Sequence, residues 1–245
     1  MSRSNANGLG EAAASNGTAD ITLRLRHDAP TVLERVARPH ELLLVAHDQF
    51  HPRCEQIRAL RTELMLRRGP TVRADLLALM SPCRGEGRSL LAAELAIAFA
   101  QTGRPTLLVD ADLRHPRQHA LFGADNAIGL AQAIESGDTP QLLRVQGVPR
   151  MWLLTAGPIP SNPVELLSSE TFASMLEEWR RNFDYVVLDT APMKPYADAL
   201  AVASFVGRVL TLSRAQHTPA KEMRDMLRRL SLTRSQILGT VISHF

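Results

Sequence analysis

Lysine is nearly missing from this chain. Of its 28 basic residues only Lys194 and Lys221 are lysines and the rest are arginines, so chemistry that ordinarily uses an ammonium must here use a guanidinium. Cysteine is equally scarce, and Cys54 and Cys83 alone exclude both a disulfide framework and a structural zinc site. No apolar run approaches the roughly 18–20 residues of a spanning helix. The opening MSRSNANGLGEAAASNG also lacks the apolar stretch of a secretory signal, so a cytoplasmic protein with no membrane span of its own is expected. A formal net charge of +3 is too small to mark an obligatory nucleic-acid binder, and no nucleic-acid partner is expected.

What is present is a folded composition, 45% hydrophobic and 22% charged over 245 residues, enough for one large α/β domain. Residues 1–47 read as a mobile tail followed by a short appendage broken by Pro30 and Pro39, and residues 48–245 as the main domain. After Pro52, Ile57, Leu60 and Leu64 recur at helical spacing. Apolar runs at 75–80, 105–110, 151–156, 185–190, 208–213 and 237–243 predict buried strands, alternating with helices at 89–102, 129–136, 163–181, 196–205 and 219–232. Strands so continuously apolar imply a mainly parallel central sheet covered on both faces, a three-layer α/β fold whose ligands bind at the strands' carboxyl ends. Asn162, Pro163 and Glu165 read as an N-cap, a first-turn proline and a capping-box partner.

Three strand ends carry candidate chemistry. The stretch Ser81-Pro-Cys-Arg-Gly-Glu-Gly-Arg-Ser89 joins a predicted strand to a predicted helix, and Gly85 and Gly87 permit a turn whose backbone N–H groups point inward at a helix N-terminus. It departs from the phosphate-loop pattern G-x-x-x-x-G-K-[ST] twice, with Pro82 at the first glycine and Arg88 at the lysine. Taken alone it is equally a plain strand–turn–helix connection. Asp110 and Asp112 end the second strand two residues apart, which in extended chain puts both on one side, able to hold a metal-bound water or accept a proton. Taken alone they are more often solvated acids. Asp189 ends the third strand, where phosphate-loop enzymes order their Mg²⁺ shell. His115 and His119 have i, i+4 spacing without an evident third ligand, and the basic stretch from Lys221 to Arg234 reads as a solvated helix face.

Together with EQIRALR (55–61), GPIPSNPVELLSS (157–169), FDYVVLDTAP (183–192) and ADAL (197–200), these stretches resemble the bacterial tyrosine kinases of exopolysaccharide and capsule synthesis, over residue 48 to the end. The branch resembled is the stand-alone one that works with a membrane chain-length determinant. The resemblance implies a P-loop NTPase fold that binds ATP and Mg²⁺ through Arg84, Gly85, Glu86, Gly87, Arg88, Ser89 and Leu90. It further implies Ser89, Asp110 and Asp189 toward the metal, and Arg88, Asp110, Asp112 and Asp189 in catalysis. Its implied partners are the membrane protein as activator, which would hold the chain at the inner membrane, and a protein tyrosine as substrate. Glu55, Arg58 and Arg61 reproduce the E-x-x-R-x-x-R pattern through which family members form homo-oligomeric rings, and steps of three do keep such charges on one helical face.

Two departures qualify the activity expected. Arg88 replaces the loop lysine, and the terminal tyrosine cluster of many members has no counterpart through Phe245, leaving Tyr196 as the candidate internal acceptor and Tyr185 in a predicted strand. Ser243 stands where relatives often place an asparagine near the adenine. Cys83 replaces the second lysine of the partition and septum-site ATPases, which argues against that class. A protein-tyrosine kinase is thus expected, with a nucleotide-binding regulatory subunit of poor catalytic power as the alternative.

Overall fold

The computed structural model describes residues 36–48, 50–67 and 74–244. In chain order the elements are β1 Val36–Ala37, α1 Leu44–His47, α2 Pro52–Leu66, β2 Asp75–Met80, α3 Arg88–Ala100, β3 Thr106–Ala111, α4 Gln118–Leu121, α5 Leu130–Ser136, β4 Leu143–Val145, β5 Met151–Leu154, α6 Pro163–Leu167, α7 Glu170–Asn182, β6 Tyr185–Thr190, α8 Asp198–Phe205, β7 Arg208–Arg214, α9 Ala220–Leu230 and β8 Gln236–Ser243. Among the described residues the strands form one sheet in the order β1-β4-β5-β3-β6-β2-β7-β8. From β5 to β8 every pairing is parallel; β4 pairs antiparallel with β5, and β1, parallel to β4, shares its reversed direction.

The period of two explains the layers. Along β2, Leu76, Ala78 and Met80 face a core shared with α5 to α9, whereas Leu77 and Leu79 face a second core shared with α2 and α3. Helix α3 is apolar nearly all round and lies between the sheet and α2, which accounts for Leu95, Ala96 and Ile97 being fully buried. Its one buried acid, Glu94, is met by Arg53 of α2 at 2.9 Å. The three-layer α/β architecture expected from the sequence is therefore the one observed, with β2, β3 and β6 side by side at its centre.

Four expectations change. The long helix expected over 163–181 is two, because Ser169 accepts the N–H of Phe172 (3.2 Å) and starts a new helix. The capping box does not form: Asn162 lies at φ −131° and ψ 59° and its side chain makes no capping bond. Strand β4 was not legible because it has three residues, of which only Val145 is buried and Arg144 is exposed. The boundary expected between 47 and 48 falls inside one packed unit, since Ala37, Leu43 and Val45 are buried in the core of α2 and α3. The backbone there is tied down, with Arg38 N–H bonded to Phe122 O and His40 N–H to Leu121 O. The expected tail over 1–35 lies outside the described residues.

Candidate active site

Strand β2 ends at Met80, the chain turns through Ser81–Gly87, and α3 begins at Arg88. The turn needs its glycines. Gly85 and Gly87 sit at φ +81° and +87°, left-handed backbone that side chains resist, and Gly87 is the N-cap of α3. Arg84, Gly85, Glu86, Gly87, Arg88, Ser89 and Leu90 all line one cavity of about 410 Å³ at the carboxyl end of the sheet, so the whole loop expected to bind nucleotide faces a single space. Asp112, His115 and Arg117 form another wall, and Leu42 and Leu121 a third.

The loop is braced from behind. Glu86 is 1% exposed; its carboxylate accepts the N–H of Cys83 at 2.9 Å and the hydroxyl of Thr218. Ser243 donates to Glu86 O at 3.1 Å, Arg214 donates to Gly85 O, and His217 contacts Arg84 O. Glu86 thus shapes the loop, with its side chain turned back rather than offered to a ligand, and Ser243, at the end of β8, holds the loop backbone.

Arg88 does not project from the helix. It is 7% exposed and its guanidinium lies across the strand ends, donating from Nε to Asp189 Oδ1 at 3.0 Å, from Nη2 to Asp112 Oδ2 at 3.0 Å and from Nη1 to Ser81 Oγ at 2.7 Å. Asp112 Oδ1 accepts the N–H groups of Arg114 and His115. Asp189 Oδ2 accepts from Gln118 Nε2 at 2.8 Å. Burial pushes the Asp112 carboxyl above its usual range, against the opposing pull of Arg88.

Asp110 is placed differently from the expectation that put it on the metal and the substrate. It is fully buried and is not among the residues lining the cavity. Its Oδ1 accepts the Asp112 N–H, and its Oδ2 accepts those of Arg117 at 3.0 Å and Gln118 at 2.9 Å. The physical reason is that the strand stops at Ala111: Asp110, still within it, turns under the following loop and holds it, while Asp112 lies beyond the strand, free of its alternation, and faces the cavity. Burial, then the nearby Asp189, push the Asp110 carboxyl well above the usual range.

Gln118, Thr218 and Leu42 escaped the sequence reading. Gln118 is fully buried, bridges Asp189 to Ser89 O, and leaves its Oε1 without a partner among the described residues. No motif spacing marks any of the three. Of the tyrosines, Tyr185 is 2% exposed and stacked on Phe99 at 4.1 Å, whereas Tyr196 is half-buried with the Arg114 guanidinium 4.5 Å from its ring centre. In the expected assembly motif Glu55 is exposed and pairs with Arg58 at 2.5 Å, while Arg61 donates to Ala98 O of α3.

No family model matches the chain. Against individual proteins the likeness is clear. The chain is 34% identical over 193 residues to tyrosine-protein kinase YwqD of Bacillus subtilis (strain 168), an alignment covering 77% of this chain and 80% of that one. It is 30% identical over 170 residues to tyrosine-protein kinase CpsD of Streptococcus agalactiae, covering 69% and 74%. Among solved structures, the kinase domain of Escherichia coli tyrosine kinase ETK superposes with a TM-score of 0.79 at 28% identity, covering 88% of this chain and 84% of that domain. With its glycine-turned loop at the start of α3 and its carboxylates at the ends of the neighbouring strands, the chain has a P-loop NTPase fold and belongs to the bacterial tyrosine kinase family.

Proposed function

We propose that this protein transfers the γ-phosphoryl group of ATP to a protein tyrosine within the machinery of capsule or exopolysaccharide synthesis. The observation that carries the reading is that one cavity joins the phosphate-binding turn at the N-terminus of α3 to Asp112, with Asp189 next to it behind Arg88. The backbone N–H groups of residues 84–89 and the helix end suit the phosphates. Asp112, made more basic by burial, suits the acceptor hydroxyl: as the phenol oxygen bonds to the γ-phosphorus and the bond to the β-phosphate bridging oxygen breaks, the phenol proton passes to Asp112. Asp112 and Asp189 direct oxygens at one cation, the Arg88 guanidinium, so the donor set fits a cation. Ser89 and Asp189 are the residues that would hold Mg²⁺, which when bound offsets phosphate charge. Asp110 keeps the Asp112–Gln118 turn in shape rather than touching the reactants.

The family resemblance supports assigning the chain to the cytoplasmic face of the inner membrane through a membrane chain-length determinant that activates it, and to a homo-oligomeric ring assembled through Glu55, Arg58 and Arg61. A regulatory subunit that binds nucleotide without productive transfer is the second reading, favoured by the engagement of Arg88 with both carboxylates. The deciding experiment combines the purified chain with the cytoplasmic segment of its membrane partner and γ-labelled ATP. Label on protein tyrosine, lost in Asp112→Asn, supports the kinase; nucleotide binding with no labelled tyrosine supports the regulatory subunit.

A further inference from the structure

The carboxylate oxygens at the three strand ends leave no vacancy. Asp110 uses both oxygens on backbone N–H groups, Asp112 uses Oδ1 on two more, and Gln118 holds Asp189 Oδ2. The two remaining oxygens, Asp112 Oδ2 and Asp189 Oδ1, both belong to Arg88, whose third donor is fixed on Ser81. A guanidinium can span three acceptors in one plane, as an ammonium at the end of a flexible stem cannot. Asp112 and Asp189 are 2% and 0% exposed, so removing their cation would strand two buried negative charges beside each other. Moving Arg88 onto phosphates without replacement would add further negative charge to the same place.

We propose that Arg88 is the resident counter-ion of the Asp112–Asp189 pair, and that it makes binding of a divalent cation and of a nucleoside triphosphate conditional on each other. While Arg88 bridges the carboxylates, no cation site is open. A triphosphate draws the guanidinium outward only when a divalent ion takes its place, and the ion enters only when the phosphates give Arg88 somewhere to go. The inference rests on the nucleotide-binding part of the reading above but not on phosphoryl transfer.

The test titrates the full chain with Mn²⁺ alone and follows free ion by electron paramagnetic resonance, without nucleotide and then with a non-hydrolysable ATP analogue. The wild-type chain is expected to take up one ion only with the analogue. Arg88→Gln uncovers the carboxylates and is expected to bind Mn²⁺ without nucleotide more than about tenfold more tightly than wild type. Arg88→Lys, which spans fewer acceptors, falls between them. Mn²⁺ bound by wild type without nucleotide as tightly as by Arg88→Gln overturns the proposal, as does failure of a folded Arg88→Gln, checked by circular dichroism, to bind it. If Arg88→Gln does not fold, the wild-type titration decides by itself, because nucleotide-independent uptake there contradicts a closed site. Absence of labelled tyrosine in the transfer assay leaves these results untouched, whereas absence of any analogue binding sinks the nucleotide reading itself.

Discussion

Asp110 and Asp189 are register partners on β3 and β6, yet one is held by backbone and the other by side chains. The burial of Asp110 beside Asp189 outweighs its backbone donors and predicts a pH dependence. The folded chain raises the Asp110 carboxyl well above the usual range, so between the unfolded value and the folded one the native state binds more protons than the unfolded state. Its contribution is therefore greatest in acid and is lost as pH rises through the folded value. Asp110→Asn removes this ionisation. Its melting temperature relative to wild type should rise between pH 4.5 and pH 8 by about a few degrees; a difference flat in pH would contradict the assignment.

Gln118 supplies the remaining partner of Asp189. Gln118→Leu leaves that buried oxygen without its donor and should cost about 1–3 kcal/mol in urea unfolding. Since Gln118 positions rather than reacts, kcat should fall while KM for the acceptor stays within about twofold. An unchanged kcat would confine the residue to folding.

The Glu86 brace makes nucleotide affinity depend on a residue turned away from the ligand. Thr218→Val removes the hydroxyl that holds the Glu86 carboxylate and is expected to weaken analogue binding about threefold to tenfold, a loss of about 1 kcal/mol. Glu86→Ala, which also frees the Cys83 N–H, should weaken it further. Equal affinities by isothermal titration would show that the loop keeps its shape unaided.

For ring assembly the three charges of the motif are not equivalent. Arg61 donates to Ala98 O and so ties α2 to α3 within one chain, whereas Glu55 and Arg58 lie farther out and pair with each other. Glu55→Ala with Arg58→Ala should lower the mass in light scattering with a melting temperature within about 2 °C of wild type. Arg61→Ala should lower both. A mass unaffected by the double substitution would remove these residues from the interface.

If Tyr196 is the internal acceptor, Tyr196→Phe abolishes self-labelling in the transfer assay while Tyr185→Phe preserves it, because Tyr185 is stacked on Phe99 in the core. Label that survives Tyr196→Phe would assign the acceptor elsewhere.

The sheet was legible because its central strands are short, apolar and separated by helical periodicity: 75–80 and 185–190 are β2 and β6 to the residue. The edge was not, since β1 and β4, two and three residues long with one buried residue each, are too short to carry a pattern. In the site, loop residues 84–90 could be read together because a glycine turn before a helix has a sequence signature. The separate fates of Asp110 and Asp112 could not, because spacing places both on one side of a strand and says nothing of the strand stopping at Ala111. Gln118, Thr218 and Leu42 reach the site from other parts of the chain, and only tertiary packing shows them.

Leu42 carries a practical consequence. It stands ahead of every motif that carries the family resemblance, yet it is 58% exposed and lines the same cavity as the phosphate-binding turn. A protein trimmed at residue 48 would keep every motif and lose that lip. Off-rates and acceptor preferences measured on such a truncation would describe an opened bowl instead of the native enclosure.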